Sequence, residues 1–243
     1  ERLGVKADAT VVAMLPGSRE SEVRNLAPIY IEAARRLSGK RPAALFLVPL
    51  TTRTTRELFE QALHDAEATE LPLRILFGHA VDAMTAADVV LVASGTASLE
   101  AALLKRPMVI SYRIGKWQYR LMKRMAYLPW VGLPNILCNE SVVPELLQDA
   151  ATPEALAAAL DDWLANPAAR EELARRFDAL HRELRVHQAD DVERSRHLAH
   201  LPAQFVLHRR RQRMHRQRTR AVTGMHTGFL DMLHQAADQR RAG

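Results

Sequence analysis

Two short turns carry the residue types best suited to chemistry in this sequence. The first is Leu15-Pro-Gly-Ser-Arg-Glu20, set between an apolar run and a helical pattern. Gly17 lets a ligand come close to the backbone. The amides after it, and the positive end of the following helix, favour an anion. Ser18 adds a hydroxyl donor, and Arg19 can hold a phosphate through two parallel hydrogen bonds. The spacing is not that of a Walker A loop, which needs more glycines and a lysine. The second turn is Val92-Ala-Ser-Gly-Thr-Ala-Ser-Leu-Glu100. Ser94, Gly95 and Thr96 place donors at another helix start, and Glu100 falls one helical turn further on, on the side facing back to the loop. A carboxylate there suits the vicinal hydroxyls of a ribose. Each turn alone is equally well an ordinary strand-to-helix connection, with Thr96 or Ser94 capping the helix and Glu100 complementing its dipole. Two such turns in one sheet point to a nucleotide diphosphate.

Three further candidates are less specific. Backbone groups of Phe77 and Gly78, after a third apolar run, can read a base edge beside an apolar wall. His79 reads equally as a surface histidine that starts a helix. Asn135 closes the turn Val131-Gly-Leu-Pro-Asn135 and can reach the same pocket. No His, Cys, Asp and Glu cluster in the body has metal-ligand spacing. Seven of the ten histidines fall after residue 186 among arginines, whose repulsion opposes a bound cation, so neither a metal nor a cofactor is expected. The single cysteine, Cys138, excludes an intramolecular disulfide framework and reads as a buried bystander.

The elements that must position these residues alternate. Strand candidates are Thr10–Leu15, Ala43–Val48, Leu73–Phe77, Val89–Val92 and Met108–Ser111, largely uninterrupted apolar runs of the kind buried on both faces. Between them Glu22–Ser38, Arg53–Ala66, Val81–Ala87 and Ala97–Lys105 show helical spacing. This series predicts an α/β fold, a Rossmann-like doubly wound parallel sheet, with ligands at the carboxyl ends of its strands. Beyond Pro129 the pattern predicts only helices: Val142–Gln148, then Pro153–Leu164 capped by Thr152, then Pro167–Leu184.

The chain has 243 residues, 48% of them hydrophobic, enough for a full core. It opens on Glu1 rather than Met, as a fragment or processed product does. It holds no apolar stretch near eighteen residues and no secretory leader. The net charge of +6 suggests nucleic acid until it is divided along the chain. From Arg185 onward 12 arginines face 5 acids, a net of +7 that leaves about −1 for residues 1–184. Two regions follow: a body over 1–184 with closing helices, and an Arg/His-rich tail over 185–243 read as helix or disorder. Tyr112 to Trp130 interleaves basic and aromatic side chains. It suits a membrane interface, or an amphipathic helix packed on the sheet.

Leu-Pro-Gly-Ser-Arg at 15–19, Ser-Gly-Thr-Ala at 94–97 with Glu100, Ser-Tyr-Arg at 111–113, Leu-Pro-Asn at 133–135 and Pro-Glu-Leu-Leu-Gln at 144–148 occur in this order. Together they resemble the carboxyl-terminal half of lipid-A-disaccharide synthase over about residues 10–184. The resemblance implies one half of a GT-B glycosyltransferase. Its donor is a UDP-diacylglucosamine and its acceptor an acylated glucosamine 1-phosphate. Transfer inverts the anomeric centre without a required metal. Gly17, Ser18, Arg19, Ser94, Gly95 and Thr96 would hold the diphosphate and Glu100 the ribose. Phe77, Gly78 and His79 would lie by the uracil, and Asn135 near the donor. The general base would lie in an amino-terminal domain outside this chain. The resemblance also implies a peripheral protein at the cytoplasmic face of the inner membrane of a Gram-negative bacterium, with no nucleic acid partner. The tail departs from the family's closing helix, as a frame-shifted end or a genuine basic extension. Other readings are a different UDP-sugar enzyme, a nucleic-acid binder acting through the tail, and a remnant that only binds nucleotide.

Overall fold

The computed structural model describes Val5, residues 9–113 and residues 130–198, with side chains as far as Arg185. Most of the aromatic and basic stretch (114–129) and the tail from 199 onward lie outside the described residues. The chain divides into two compact units, Glu1–Glu183 and Leu184–Gly243.

The first unit opens with β1 (Thr10–Leu15), α1 (Glu20–Lys40), β2 (Ala44–Leu50), α2 (Arg53–Asp65) and β3 (Leu73–Phe77). It continues through α3 (Ala80–Ala86), β4 (Val89–Ala93), α4 (Thr96–Leu103) and β5 (Met108–Tyr112). After the undescribed stretch come α5 (Leu133–Cys138), β6 (Glu145–Leu147), a 3-10 turn at Gln148–Ala150, α6 (Pro153–Ala165) and α7 (Pro167–Leu198). The strands form one six-stranded sheet in the order β3-β2-β1-β4-β5-β6, parallel at every pairing.

Both faces of the sheet are covered, which explains the uninterrupted apolar runs. On one face Val12, Met14, Phe46, Val48, Leu50, Val89, Leu91 and Val109 pack with Tyr30 and Leu37 of α1, Phe59 of α2, and Leu156 and Leu160 of α6. The alternating set, Val11, Ala13, Leu47, Val90, Val92, Met108 and Ile110, is equally buried and points the other way. There α3 lies against β1 and β2, and α4 against β4 and β5.

Two expectations are corrected after β5. Val142–Gln148 is not a helix: Glu145–Leu147 is the sixth strand, and a 3-10 turn follows it. The open edge of β5 offers a row of backbone partners, and Ile110 N–H donates to Pro144 O at 3.0 Å. That pairing outweighs the helix propensity of Glu and Leu in so short a run. Conversely, the turn read at Val131–Asn135 opens helix α5, with Gly132 as its N-cap and a proline in the first turn. The helix from Pro167 continues past Leu184 to Leu198. The Thr152 cap is present, its hydroxyl accepting the Ala155 amide at 3.2 Å.

α6 is fastened to α1 by Asp161, which accepts from Arg41 Nε at 2.7 Å and Lys40 Nζ at 3.3 Å. The Arg41 hydrogen bond, chiefly, holds the Asp161 carboxyl below its ordinary range. A depressed folded-state value means that the unfolded chain binds the proton more readily. The stabilisation is therefore present above the unfolded value, about pH 3.9, and is lost as pH falls through the folded one. Asp161→Asn is expected to lower stability at pH 7 by up to about 1 kcal/mol. Denaturant melts should show the gap between variant and wild type closing towards pH 3.

Candidate functional site at the strand reversal

β1 and β4 are neighbours, with Leu15 beside Val92. Strand order reverses between them, since β2 continues on one side and β5 on the other. The turns after β1 and β4 therefore leave the sheet side by side, at the crevice where doubly wound sheets take ligands.

In the first turn Gly17 has φ +114°, which L side chains rarely adopt, and a Cβ there would collide with the side chain of Glu22. Glu22 is the reason for the crowding. Its Oε2 accepts the amides of Ser18 at 3.0 Å and Arg19 at 3.2 Å, and its Oε1 lies 3.4 Å from Arg19 Nη1. The two amides expected to face a ligand are thus held by the protein's own carboxylate. The donors presented outward are the exposed Ser18 hydroxyl and the Arg19 guanidinium, whose side chain is 80% exposed.

The second turn is pinned from behind. Ser94 N–H donates to Ser111 O at 2.8 Å, and the Ser94 hydroxyl to Val131 O at 3.2 Å. Ser98, fully buried, donates to Gly95 O at 2.7 Å. Gly95 and Thr96 stay exposed, and Glu100 sits half-buried one turn into α4. The Ser111 hydroxyl shares a 2.6 Å hydrogen bond with Tyr30 OH, both buried. Burial pushes the Tyr30 phenol well above its ordinary range, so it stays neutral and ties α1 to β5. An open cleft of about 630 Å³ extends from the first turn towards the end of β2, lined by Ser18, Arg19, Arg24 and Thr52 among others.

The remaining candidates sit differently. The Gly78 amide is spent on Leu50 O at 2.7 Å. Phe77 is 62% exposed at the end of the edge strand β3. His79 adopts a left-handed conformation as the N-cap of α3, and its Nδ1 lies 2.9 Å from Asp82 Oδ2. Asn135 is fully buried. Its Nδ2 donates to Val143 O at 2.9 Å and Glu145 Oε1 at 2.7 Å, while its Oδ1 accepts the Val142 and Val143 amides at 2.9 and 3.0 Å. Those bonds exhaust the hydrogen-bonding capacity of a carboxamide. Cys138 is half-buried. Burial first, then the nearby Glu140 charge, pushes its thiol above the ordinary range, so it is a poor nucleophile at neutral pH. Among the described residues no group of three or more His, Cys, Asp or Glu side chains is placed to hold a metal ion.

The family model described as lipid-A-disaccharide synthetase matches residues 1–195. The chain belongs to this family. The lipid-A-disaccharide synthase of Aromatoleum aromaticum is 76% identical over 185 residues, covering 76% of this chain and 47% of its own length. That of Pseudomonas aeruginosa is 47% identical over 184 residues, covering 76% of this chain and 47% of its own. The chain spans about half the length of the curated relatives it matches. Among solved structures, a UDP-forming α,α-trehalose-phosphate synthase from Burkholderia xenovorans superposes with a TM-score of 0.53 at 12% identity, over 80% of this chain and 46% of its own. The UDP-GlcNAc 2-epimerase of Neisseria meningitidis, bound to UDP-GlcNAc, gives 0.50 at 15%, over 70% and 40%. At such identities these share the fold.

In this member of the lipid-A-disaccharide synthetase family, Gly17–Arg19 and Ser94–Thr96 follow the ends of two adjacent strands. The structure leaves Phe77–His79 at the sheet edge and turns Asn135 inward. Not among the sequence candidates were Glu22 and Ser111, which bond the two turns from behind, and Glu145, which bonds the Val131–Gly132 segment. Glu22 had a legible signal, because an acid three residues after a helix-starting position reaches back to that position's amide. Ser111 stood in the Ser-Tyr-Arg run at 111–113, which does not say which backbone group it meets.

Proposed function

We propose that this chain is the UDP-sugar-binding half of a glycosyltransferase of lipid A biosynthesis. The whole enzyme moves a 2,3-diacylglucosamine from its UDP donor to 2,3-diacylglucosamine 1-phosphate, giving lipid A disaccharide 1-phosphate and UDP. The names of the curated relatives support the reaction. The observation that carries the donor site is the pair of turns leaving adjacent strands at the sheet reversal, with Arg19 exposed in one.

In this reading Arg19 and the Ser18 hydroxyl meet the donor diphosphate from the β1 side, and the exposed Gly95–Thr96 backbone meets it from the β4 side. Glu100 accepts from the ribose hydroxyls, and Phe77 offers its ring to the uracil. As the sugar–phosphate bond breaks, negative charge gathers on the departing diphosphate. A guanidinium already in place stabilises that charge without reorganising, in the role a divalent cation plays in other transferases. The acceptor hydroxyl attacks the opposite face of the sugar, inverting the anomeric centre, and its proton goes to a base from an amino-terminal domain. The protein works at the inner-membrane surface of a Gram-negative cell, where both acylated substrates reside.

Calorimetry with UDP tests the donor site. Arg19→Ala is expected to weaken binding by roughly 1.5–3 kcal/mol, the range for hydrogen bonds to charged groups. Unchanged affinity removes Arg19 from the site. Glu100→Gln is expected to weaken UDP while leaving pyrophosphate nearly unaffected. Equal losses for both ligands make Glu100 a structural residue of α4.

A further inference from the structure

The Leu-Pro-Asn and Pro-Glu-Leu-Leu-Gln motifs meet behind the second turn. Glu145 Oε2 accepts the Val131 amide at 2.9 Å, and its Oε1 accepts the Gly132 amide at 3.0 Å and Asn135 Nδ2 at 2.7 Å. Gly132 is buried; a Cβ there would collide with Ile110 Cδ1 and lie 2.9 Å from Glu145 Oε1. Only a residue without a side chain lets the segment approach β5 this closely. The Val131 carbonyl and the Gly132 N–H are two ends of one planar peptide unit. Glu145 holds its N–H, and the Ser94 hydroxyl donates to its carbonyl at 3.2 Å. A rigid plate gripped at one edge by Glu145 therefore sets where Ser94 is held at the other.

We propose that Glu145 is a positioning residue that orients the Ser94–Thr96 turn through the Val131–Gly132 peptide. The proposal rests on the reading of that turn as part of the UDP-sugar site. Glu145 faces three donors, so Glu145→Gln must turn its amide NH2 towards at least one of them, and the plate is expected to shift while the fold persists.

The test is a double-mutant cycle on the full chain. Glu145→Gln and Ser94→Ala should each weaken UDP about fivefold, within the span of one hydrogen bond. The double variant should lose less than about twofold beyond the weaker single. Arg19→Ala, on the other turn, should multiply with Glu145→Gln as an independent site does. Losses at Glu145 and Ser94 that multiply fully overturn the proposal. The second measurement needs neither UDP nor Glu145→Gln. In the ligand-free chain, Ser94→Ala should move the Gly132 amide resonance, and an unmoved resonance overturns the positioning claim. If the wild-type chain binds no UDP, the donor-site reading fails, and this resonance still decides whether Ser94 is coupled to the Val131–Gly132 peptide that Glu145 holds.

Discussion

Asn135→Ala is expected to lower the unfolding free energy by about 3–4 kcal/mol, the cost of breaking a buried hydrogen-bond network. The side chain is fully buried and makes hydrogen bonds to Val142, Val143 and Glu145. Alanine leaves the Val143 amide and carbonyl without partners and removes one of three donors that Glu145 faces. In a body of this size the thermal midpoint should fall by about 10 °C. Denaturant unfolding and UDP calorimetry on the same variant separate two readings of this residue. Lost stability, with affinity kept under conditions where the variant is folded, makes Asn135 a scaffold residue. Intact stability with lost affinity returns it to the donor site.

The second large effect concerns catalysis. The purified 243-residue chain is expected to give no multiple-turnover disaccharide from UDP-diacylglucosamine and diacylglucosamine 1-phosphate. Transfer needs donor, acceptor and base held in near-attack geometry, and the described residues form one parallel sheet with one reversal crevice. The acids near that crevice have other duties. Glu22 is spent on the Ser18 and Arg19 amides, Glu20 begins α1 beside the same turn, and Glu100 is assigned to the ribose. Without a positioned base the chemical step loses roughly 10²–10⁴-fold before the absent acceptor contacts are counted. Adding a separately expressed amino-terminal half of a lipid-A-disaccharide synthase should restore turnover where the two surfaces dock, since domain interfaces resemble transient protein contacts. Sustained turnover by the chain alone places a base within it and overturns the assignment.

Five of the six strands, and the helices between them, were legible in the residues alone. Val11–Leu15, Val89–Ala93 and Met108–Ile110 are buried on both faces, so an apolar run flanked by turn residues marks each one directly. The two turns were legible as strand-to-helix connections, because a glycine with hydroxyl residues between an apolar run and a helical pattern marks a tight turn there. What tertiary structure decided is where short or polar segments go. Glu145–Leu147 has helical composition over too few residues to choose for itself, and it became a strand because the edge of β5 left backbone groups unpaired. Asn135 reads as a turn residue that can reach the pocket until Glu145 and the Val142–Val143 amides close around it. The amides of Ser18 and Arg19 look open to a ligand until Glu22 folds back over Gly17. Apolar runs announce their burial through composition. The partner of a buried polar group is chosen only when the chain brings a matching donor or acceptor within about 3 Å, and no local pattern records that distance.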